Sequence, residues 1–294
     1  MTLLILAAGL GSRYGGTKQF DGVGPEGEFL LEYTVYDAIR AGFKRVVLVT
    51  RNELVQEITI YFKERIPPSL NFECIPQSIE DVPEGFIKLV DRVKPWGTAH
   101  AIWCSRRVIQ GKFVMVNADD LYGRKAIEAG FRLGGKYPKK GCFGLVGYEL
   151  KETLSKFGTV SRGICRTRGN CLMKVTEYTQ LAKEVGKIVD KKSGESFNGN
   201  EVVSMNLWVL DASIFPEIEK DFLSFFEKIS RQQSGELYLP QVIQSLIDAN
   251  VVTVNVVPGD GEWHGMTHKE DKVQLANELS LLTKKGIYPT PLWN

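Results

Sequence analysis

The chain begins with a short apolar run that leads into a glycine-rich loop with two cations. Residues 3–8 predict a buried first strand, followed by Gly9 and Gly11 and then by Arg13 and Lys18. Glycines let the backbone approach a ligand and direct N–H groups at it, while a guanidinium and an ammonium neutralise an anion. We therefore predict a polyphosphate site here. A glycine turn without a ligand is the alternative, since short motifs also occur by chance.

The spacing of the glycines differs from the dinucleotide-binding fingerprint. That fingerprint is G-x-G-x-x-G and opens directly into a helix, whereas Gly9, Gly11 and Gly15 leave one residue more in the last interval. Six glycine or proline residues lie between positions 15 and 27, and they prevent a helix from starting promptly. We expect a long loop around a triphosphate.

Two aspartates follow a later apolar run. Asp119 and Asp120 come directly after the predicted strand 112–117, where carboxylate oxygens can hold Mg²⁺ against phosphates. The alternative is that an aspartate caps the helix that starts near Arg124. The sequence favours Asp119 as the metal ligand and leaves Asp120 undecided.

Two further features are typical of base recognition. Gln77 follows the predicted strand 71–76, and its amide can bond to a base edge through two hydrogen bonds, a pattern that favours uracil or thymine over cytosine. Gly97 and Thr98 begin a helix in a segment of small residues, against which a planar base can lie. A helix start capped by Thr98 is the alternative. His100 is interpreted as a packed or capping histidine.

Three polar residues in the second half are candidates for contacts with a second substrate or a metal. Glu177 lies at the end of a predicted strand, and Asn206 lies inside an apolar one, where a buried amide needs partners. Sugar hydroxyls would serve, and internal hydrogen bonds are the alternative. His264 is either a metal ligand or a structural histidine, and the sequence does not rank the two.

The elements that position these residues alternate in the first half. Such alternation predicts a parallel sheet with helices on both faces, and ligands of these sheets bind outside the carboxyl ends of the strands. The predicted strands are 3–8, 45–50, 71–76 and 112–117, and the predicted helices are 28–41, 53–65, 98–109 and 124–136.

From about residue 141 the pattern changes to strands separated by loops, followed by helices. We predict one domain over 1–294, with a nucleotide-binding half (about 1–140) and a half (about 141–294) whose mixed sheet closes over a substrate. The predicted strands are 143–149, 159–166, 172–177, 201–210 and 251–257, the helices are 213–228, 239–249 and 269–285, and the polar stretch 183–200 is predicted to be a loop.

Composition excludes several classes of protein. The 37 basic and 35 acidic residues give a net charge of +2 without runs of one sign, so neither a nucleic-acid nor a membrane-surface partner is expected. The five cysteines are scattered and never spaced as C-x-x-C, which favours a reducing compartment over disulfides or zinc. The sequence shows neither a signal peptide nor a spanning segment. We expect a soluble cytoplasmic protein.

Taken together, these motifs resemble the sugar-phosphate nucleotidylyltransferases, of the glucose-1-phosphate thymidylyltransferase and UDP-sugar pyrophosphorylase type, over nearly the whole chain. Residues 6–13 are similar to the signature loop of that family, residues 97–101 to its base-binding segment, and residues 117–120 to its metal-binding strand end. Residues 157–160 resemble its sugar-site turn, and residues 235–240 also resemble a family segment. The resemblance implies nucleotide contacts from Ala8, Gly9, Gly11, Arg13, Lys18, Gln77, Gly97 and Thr98, sugar contacts from Gly158, Glu177 and Asn206, and a metal on Asp119.

Two positions depart from the family pattern. Family members often have a lysine directly after the glutamate, whereas Tyr178 follows Glu177 here, so another cation, such as Lys174 or Lys183, would have to serve. A second metal-binding aspartate has no clear match, and His264 is taken as its substitute.

The resemblance implies a Rossmann-like, mostly parallel layered sheet of the glycosyltransferase-A type, with an additional mixed sheet and helices forming a sugar-binding lobe. It also implies Mg²⁺-dependent condensation of an NTP, UTP or dTTP first, with a sugar 1-phosphate, giving an NDP-sugar and pyrophosphate. Arg13, Lys18 and Asp119 would be catalytic, the partners would be small molecules, and homo-oligomerisation is left open. The alternatives are a cytidylyltransferase for phosphocholine or a similar alcohol phosphate, and a non-catalytic NDP-sugar sensor.

Overall fold

The computed structural model describes residues 1–9, 22–84, 92, 94–137, 139–184, 186–229, 235–261, 263–266 and 270–293. Gly11, Arg13 and Lys18 lie outside these ranges. The strands are β1 (Thr2–Leu6), β2 (Arg45–Thr50), β3 (Asn71–Pro76), β4 (Lys112–Asn117), β5 (Asp120–Leu121), β6 (Cys142–Glu149), β7 (Val160–Arg168), β8 (Cys171–Glu184), β9 (Lys187–Asp190), β10 (Ser196–Phe197), β11 (Val202–Asp211), β12 (Thr253–Pro258) and β13 (His264–Gly265). The α-helices are α1 (Leu30–Ala41), α2 (Val55–Lys63), α3 (Thr98–Cys104), α4 (Arg124–Lys136), α5 (Ile214–Ile229), α6 (Leu239–Asp248) and α7 (Asp271–Lys284).

One large mixed sheet runs through the molecule in the order β10-β9-β8-β12-β6-β11-β4-β1-β2-β3, and β7 pairs with both β11 and β8. Strands β3, β2, β1 and β4 are parallel. Strand β11 is antiparallel to β4 on one side and to β6 on the other, and β12 is parallel to β6. The predicted mostly parallel layered sheet is confirmed, and strands from both halves of the chain share it.

The sheet is covered by helices on both faces, as predicted. Strand β1 is buried along its whole length, which is typical of a parallel strand between two helical layers. Leu3 and Ile5 pack into a cluster with side chains of α1 and α4, whereas Leu4 packs into a cluster with side chains of α3, α5 and α6. Alternation along one strand therefore supplies both halves of the core.

The predicted loop over 183–200 is wrong in part, because β8 continues to Glu184 and a small antiparallel ladder of β9 and β10 follows. Ile188 and Phe197 are buried in this ladder and anchor it to the sheet. Asp190 fixes its turn, since its carboxylate accepts the N–H groups of Gln180 (2.9 Å) and Ser193 (2.8 Å).

The C-terminal segment packs against α1. Tyr288 is buried and donates a hydrogen bond of 2.8 Å to the carboxylate of Asp37. None of the helices in the described ranges combines the length and the hydropathy that a bilayer crossing requires.

Asp37 makes the stability of the fold depend on pH. Burial raises the pKa of its carboxyl to about 7, although the Tyr288 hydrogen bond opposes the shift. The folded state therefore holds the proton more tightly than the unfolded state, whose pKa is about 4. This contribution is fully present below pH ~4, decreases as the pH rises, and is lost above the folded pKa.

We predict that Asp37→Asn is more stable than the wild type at pH 8, by roughly 2–4 kcal/mol, and much closer to it at pH 5. Denaturant unfolding at both pH values measures the difference. Asp260→Asn, at an exposed aspartate, is the control and should follow the wild-type pH profile. Parallel profiles for the wild type and Asp37→Asn would contradict the assignment.

Candidate nucleotide site

The carboxyl ends of three parallel strands meet at one edge of the sheet. Backbone hydrogen bonds continue one residue beyond the strands, from Ala7 N to Val49 O (2.7 Å), from Gln77 N to Thr50 O (2.7 Å) and from Ala118 N to Leu6 O (3.0 Å). Ala8 and Gly9, Gln77 and Asp119 follow directly, so the three sequence-predicted groups emerge at the same edge.

Asp119 and Asp120 differ in their surroundings. Asp120 is only 7% exposed, and its carboxylate accepts hydrogen bonds from the Asn117 amide (2.9 Å) and the Tyr122 hydroxyl (3.1 Å). Asp119 is half-buried, and its backbone oxygen accepts the N–H of Met266 (3.1 Å). Gly123, and not an aspartate, is the N-cap residue of α4, so the capping alternative is wrong. Asp120 fixes the turn, while Asp119 is the more accessible carboxylate.

Tyr122 holds this turn to the neighbouring strand. Its ring is fully buried, and its hydroxyl accepts the N–H of Asn117 (3.0 Å) while it shares its proton between Met205 O (2.8 Å) and the Asp120 carboxylate. Burial raises the pKa of this hydroxyl well above its ordinary value, so it stays protonated. Tyr148 donates to the backbone oxygen of Tyr122 (2.9 Å).

Asn206 lies at a bulge in β11. The pairing of β11 with β6 shifts register between Ser204 and Trp208. Asn206 takes a left-handed backbone conformation, φ 59°, which asparagine tolerates better than most residues. The side-chain oxygen accepts from Trp208 Nε1 (3.5 Å) and the backbone N–H donates to Ser204 Oγ (3.3 Å). Part of the internal-bonding alternative is therefore present. The β4–β11 register ends at Trp208 opposite Met115, and beyond it Met205 O accepts from the Tyr122 hydroxyl beside the end of β4.

Glu177 lies on β8 opposite Gly163 of β7. Its side chain reaches solvent, yet the surrounding protein desolvates the carboxyl enough to raise its pKa, an effect that Arg162 opposes. Gly158 lies in the exposed loop before β7. Lys174 lies opposite Arg166 and Lys183 opposite Ile188, toward the two ends of β8.

Arg162 is a functional candidate that the sequence analysis did not identify. It is 6% exposed, stacks on the Trp263 ring (4.9 Å to the centroid), and donates to the backbone oxygens of Thr153 (Nε, 3.0 Å) and Ser161 (2.8 Å). Burial lowers its pKa to about 10, while the charges of Asp120 and Glu177 act in the opposite direction. In register it lies opposite Tyr178, the position that follows Glu177. An arginine inside a predicted strand was the available sequence signal.

The segment around Gly97 is clamped by residues that precede α6. Leu237 donates its N–H to Trp96 O (2.8 Å) and accepts the N–H of Ala99 (3.1 Å). Gly97 has φ 99°, and a Cβ atom there would lie 2.5 Å from the Leu237 oxygen. Only glycine fits this close approach of the two backbones.

The alternative from the sequence, in which Thr98 caps α3, is wrong. Gly97 is the N-cap residue, and the Thr98 hydroxyl instead accepts the N–H of Leu239 (2.9 Å) at the start of α6. Arg92 strengthens the same clamp by donating to the Gly235 oxygen (2.6 Å) and stacking on Trp96 at 3.7 Å.

Gln77 is 8% exposed, and its amide nitrogen is already engaged. Nε2 donates to Gly97 O (3.1 Å) and to Nδ1 of His100 (3.1 Å). The two-bond scheme for uracil or thymine requires one of these N–H groups for a base carbonyl. The fold therefore leaves Gln77 only its carbonyl oxygen for a base.

His264 forms a short antiparallel pair with the aspartate turn, where it lies opposite Leu121 and Gly265 lies opposite Asp120. A side chain has no room at Gly265, since a Cβ atom would lie 2.3 Å from the Trp263 ring and 2.8 Å from Asp120 Oδ1. Within the described part of the chain, no three His, Cys, Asp or Glu side chains form a metal-binding group.

Comparisons with known proteins identify the family and the fold. Residues 3–264 match the family model described as nucleotidyl transferase. No curated protein sequence gives a significant match. The inositol-1-phosphate CTP transferase from T. maritima is similar in structure, with a TM-score of 0.63 and 15% identity over 95% of this chain and 96% of that chain. UDP-glucose pyrophosphorylase complexed with UDP-glucose is similar at a TM-score of 0.61 and 17% identity, over 95% and 98%.

At these identities the two structures show a shared fold. The family match covers most of the chain, including β1 and the turn that follows β4. The chain therefore belongs to the nucleotidyl transferase family.

Proposed function

We propose that the protein condenses a nucleoside triphosphate with a sugar 1-phosphate to give an NDP-sugar and pyrophosphate. The observation that carries the proposal is the convergence of Ala8 and Gly9 after β1, Gln77 after β3 and Asp119 after β4 at one carboxyl edge. A nucleotide needs a base-binding group, a phosphate-binding backbone and a metal-binding carboxylate close together, and these residues are proposed to supply them.

The reaction requires little proton transfer from the protein. A phosphate oxygen of the sugar phosphate, ionised at neutral pH, forms a bond to the α-phosphorus of the NTP. The bond from that phosphorus to the oxygen bridging to the β-phosphate breaks, and pyrophosphate leaves with the electron pair. Catalysis then depends on orientation and on charge neutralisation.

Side chains of this chain are proposed to supply both effects. Arg13 and Lys18 would hold the triphosphate. Glu177 and Asn206, with the backbone at Gly158, would orient the sugar. Arg162 adds a buried positive charge that interacts with Asp120 and Glu177, and it lies opposite Tyr178, where the family pattern has a lysine that this chain lacks.

Asp119 is proposed to hold Mg²⁺. One accessible carboxylate at the strand end suits this ion, because Mg²⁺ in nucleotide enzymes is held by one or two carboxylates, substrate phosphates and water. When bound, the ion neutralises charge on the phosphates. His264 as a second ligand is a further part of the proposal, since it lies in the short strand that pairs with the aspartate turn.

A cytidylyltransferase for an alcohol phosphate is the second candidate. This candidate stays open because Nε2 of Gln77 is already bonded to Gly97 and His100. Two hydrogen bonds from the amide to the base therefore no longer favour uracil or thymine over cytosine. UTP and dTTP still match a lone acceptor at Gln77 through their ring N–H. Cytosine matches it only through its exocyclic amine.

We predict that the purified protein with Mg²⁺ releases pyrophosphate when given UTP or dTTP and a sugar 1-phosphate. All four NTPs are tested against a panel of sugar 1-phosphates and phosphocholine. Turnover only with CTP and phosphocholine would establish the second candidate, and nucleotide-sugar binding without turnover would indicate a sensor.

We predict that Asp119→Asn lowers turnover about a hundredfold or more, the equivalent of ~3 kcal/mol in the transition state, with little change in stability. Asp120→Asn is the matched variant. It should mainly lower the free energy of unfolding, because its carboxylate bonds to Asn117 and Tyr122. Turnover at increasing Mg²⁺ and denaturant unfolding separate the two effects. Equal losses of turnover at equal stability, or activity in EDTA, would overturn the metal assignment.

A further inference from the structure

We propose that His100 is a specificity-determining positioning residue, which orients the Gln77 amide so that only its carbonyl oxygen is offered to the nucleotide base. The inference rests on the proposed function and deepens it. It states which group of the base edge must face Gln77, namely an N–H donor.

The protonation of His100 is fixed by its surroundings. The ring is fully buried, and Nε2 lies 2.7 Å from the backbone oxygen of Asp81. A carbonyl oxygen only accepts, so Nε2 must carry the hydrogen. Burial lowers the pKa of His100 to about 4, so the ring is neutral near pH 7. Nδ1 is then a bare acceptor.

This acceptor determines the orientation of Gln77. Nε2 of Gln77 lies 3.1 Å from His100 Nδ1 and 3.1 Å from Gly97 O. Rotating the amide by 180° would place its oxygen against two acceptors, which cannot bond to it. The chain of donors therefore runs in one direction, from Gln77 to His100 and from His100 to Asp81.

The free end of this chain is Gln77 Oε1. In the described residues no group donates to it, and it is not among the fully buried polar atoms that lack a partner. It therefore reaches solvent at the carboxyl edge, beside the end of β2, to which Gln77 N is bonded. An acceptor in this place selects a base that presents an N–H, such as N3–H of uracil or thymine, and opposes a bare ring nitrogen.

His100 is held rigidly enough for this role. Its ring lies edge-to-face with Phe222, with centroids 5.5 Å apart. Asp81, whose backbone oxygen it contacts, is itself fixed by Arg106 through two hydrogen bonds of 2.7 and 2.8 Å. His100 is thus held in place by Phe222 and Asp81, neither of which is among the predicted nucleotide-binding residues.

The test compares the preferred NTP with an analogue whose edge N–H is methylated, N3-methyl-UTP for UTP or dTTP and N4,N4-dimethyl-CTP for CTP. In the wild type the methyl group should lower kcat/KM by about tenfold or more, the loss expected for one hydrogen bond. Gln77→Ala controls for steric effects. In this variant the ratio of kcat/KM for the NTP to kcat/KM for its methylated analogue should fall close to one.

His100→Phe keeps an aromatic side chain but has no ring nitrogens. It should reduce the methyl penalty in kcat/KM at least threefold and raise KM for the NTP. His100→Gln retains one acceptor and one donor and should restore much of the penalty. An unchanged penalty in folded His100→Phe would overturn the proposal. If that variant does not fold, a wild type without a penalty, or Gln77→Ala with the full one, would overturn it.

Binding keeps this test separate from the proposed function. The Kd values of the NTP and its methylated analogue are measured by calorimetric titration for the same proteins. Absence of turnover with an intact methyl penalty in Kd would count against the proposed function and support the inference. If the enzyme turns over but shows no methyl penalty in either kcat/KM or Kd, the result would support the proposed function and overturn the inference.

Discussion

The candidate site depends on one constraint, which is how the parallel strands are joined to the antiparallel strand β11 at the end of β4. The strand end would leave polar backbone groups buried and unpaired unless a neighbour satisfies them. The Tyr122 hydroxyl does so, because it accepts the Asn117 N–H and bonds to the Met205 oxygen across the gap to β11. The bond from Tyr122 to Asp120 fixes the turn in the same place. This single buried contact therefore determines that the turn lies at the carboxyl edge of the sheet and that the Asp119 carboxylate is accessible there.

The same constraint accounts for Asn206. Strand β11 pairs with β4 through Trp208–Asp211 and with β7 through Val202–Ser204, and its pairing with β6 shifts register between Ser204 and Trp208. The bulge at Asn206 absorbs this change within an otherwise apolar strand. Bulges beside functional sites commonly reorient a side chain.

Much of the fold could be predicted from the sequence, because buried parallel strands and amphipathic helices leave strong patterns. The family resemblance depended on the glycine-rich loop and on the motifs at residues 97–101 and 117–120. Local patterns do not show which polar atoms are already paired. The engaged amide of Gln77, the bond from Thr98 to α6 and the burial of Arg162 all depend on contacts between residues distant in sequence. For that reason the sequence did not show that the Gln77 amide nitrogen is already bonded.

The most direct test of the account is hydrogen exchange of the protein with and without Mg²⁺ and the preferred NTP. The account predicts slower exchange at residues 7–9, 77–79, 97–99 and 117–122, with the β9–β10 ladder unchanged. A cavity of about 660 Å³ is lined by Arg40, Arg124 and Lys285 and borders the turn after β4 at Leu121 and Gly123. Protection at residues 36–40 and 282–289 without protection at 7–9, 77–79 and 97–99 would contradict the placement of the nucleotide at the carboxyl edge.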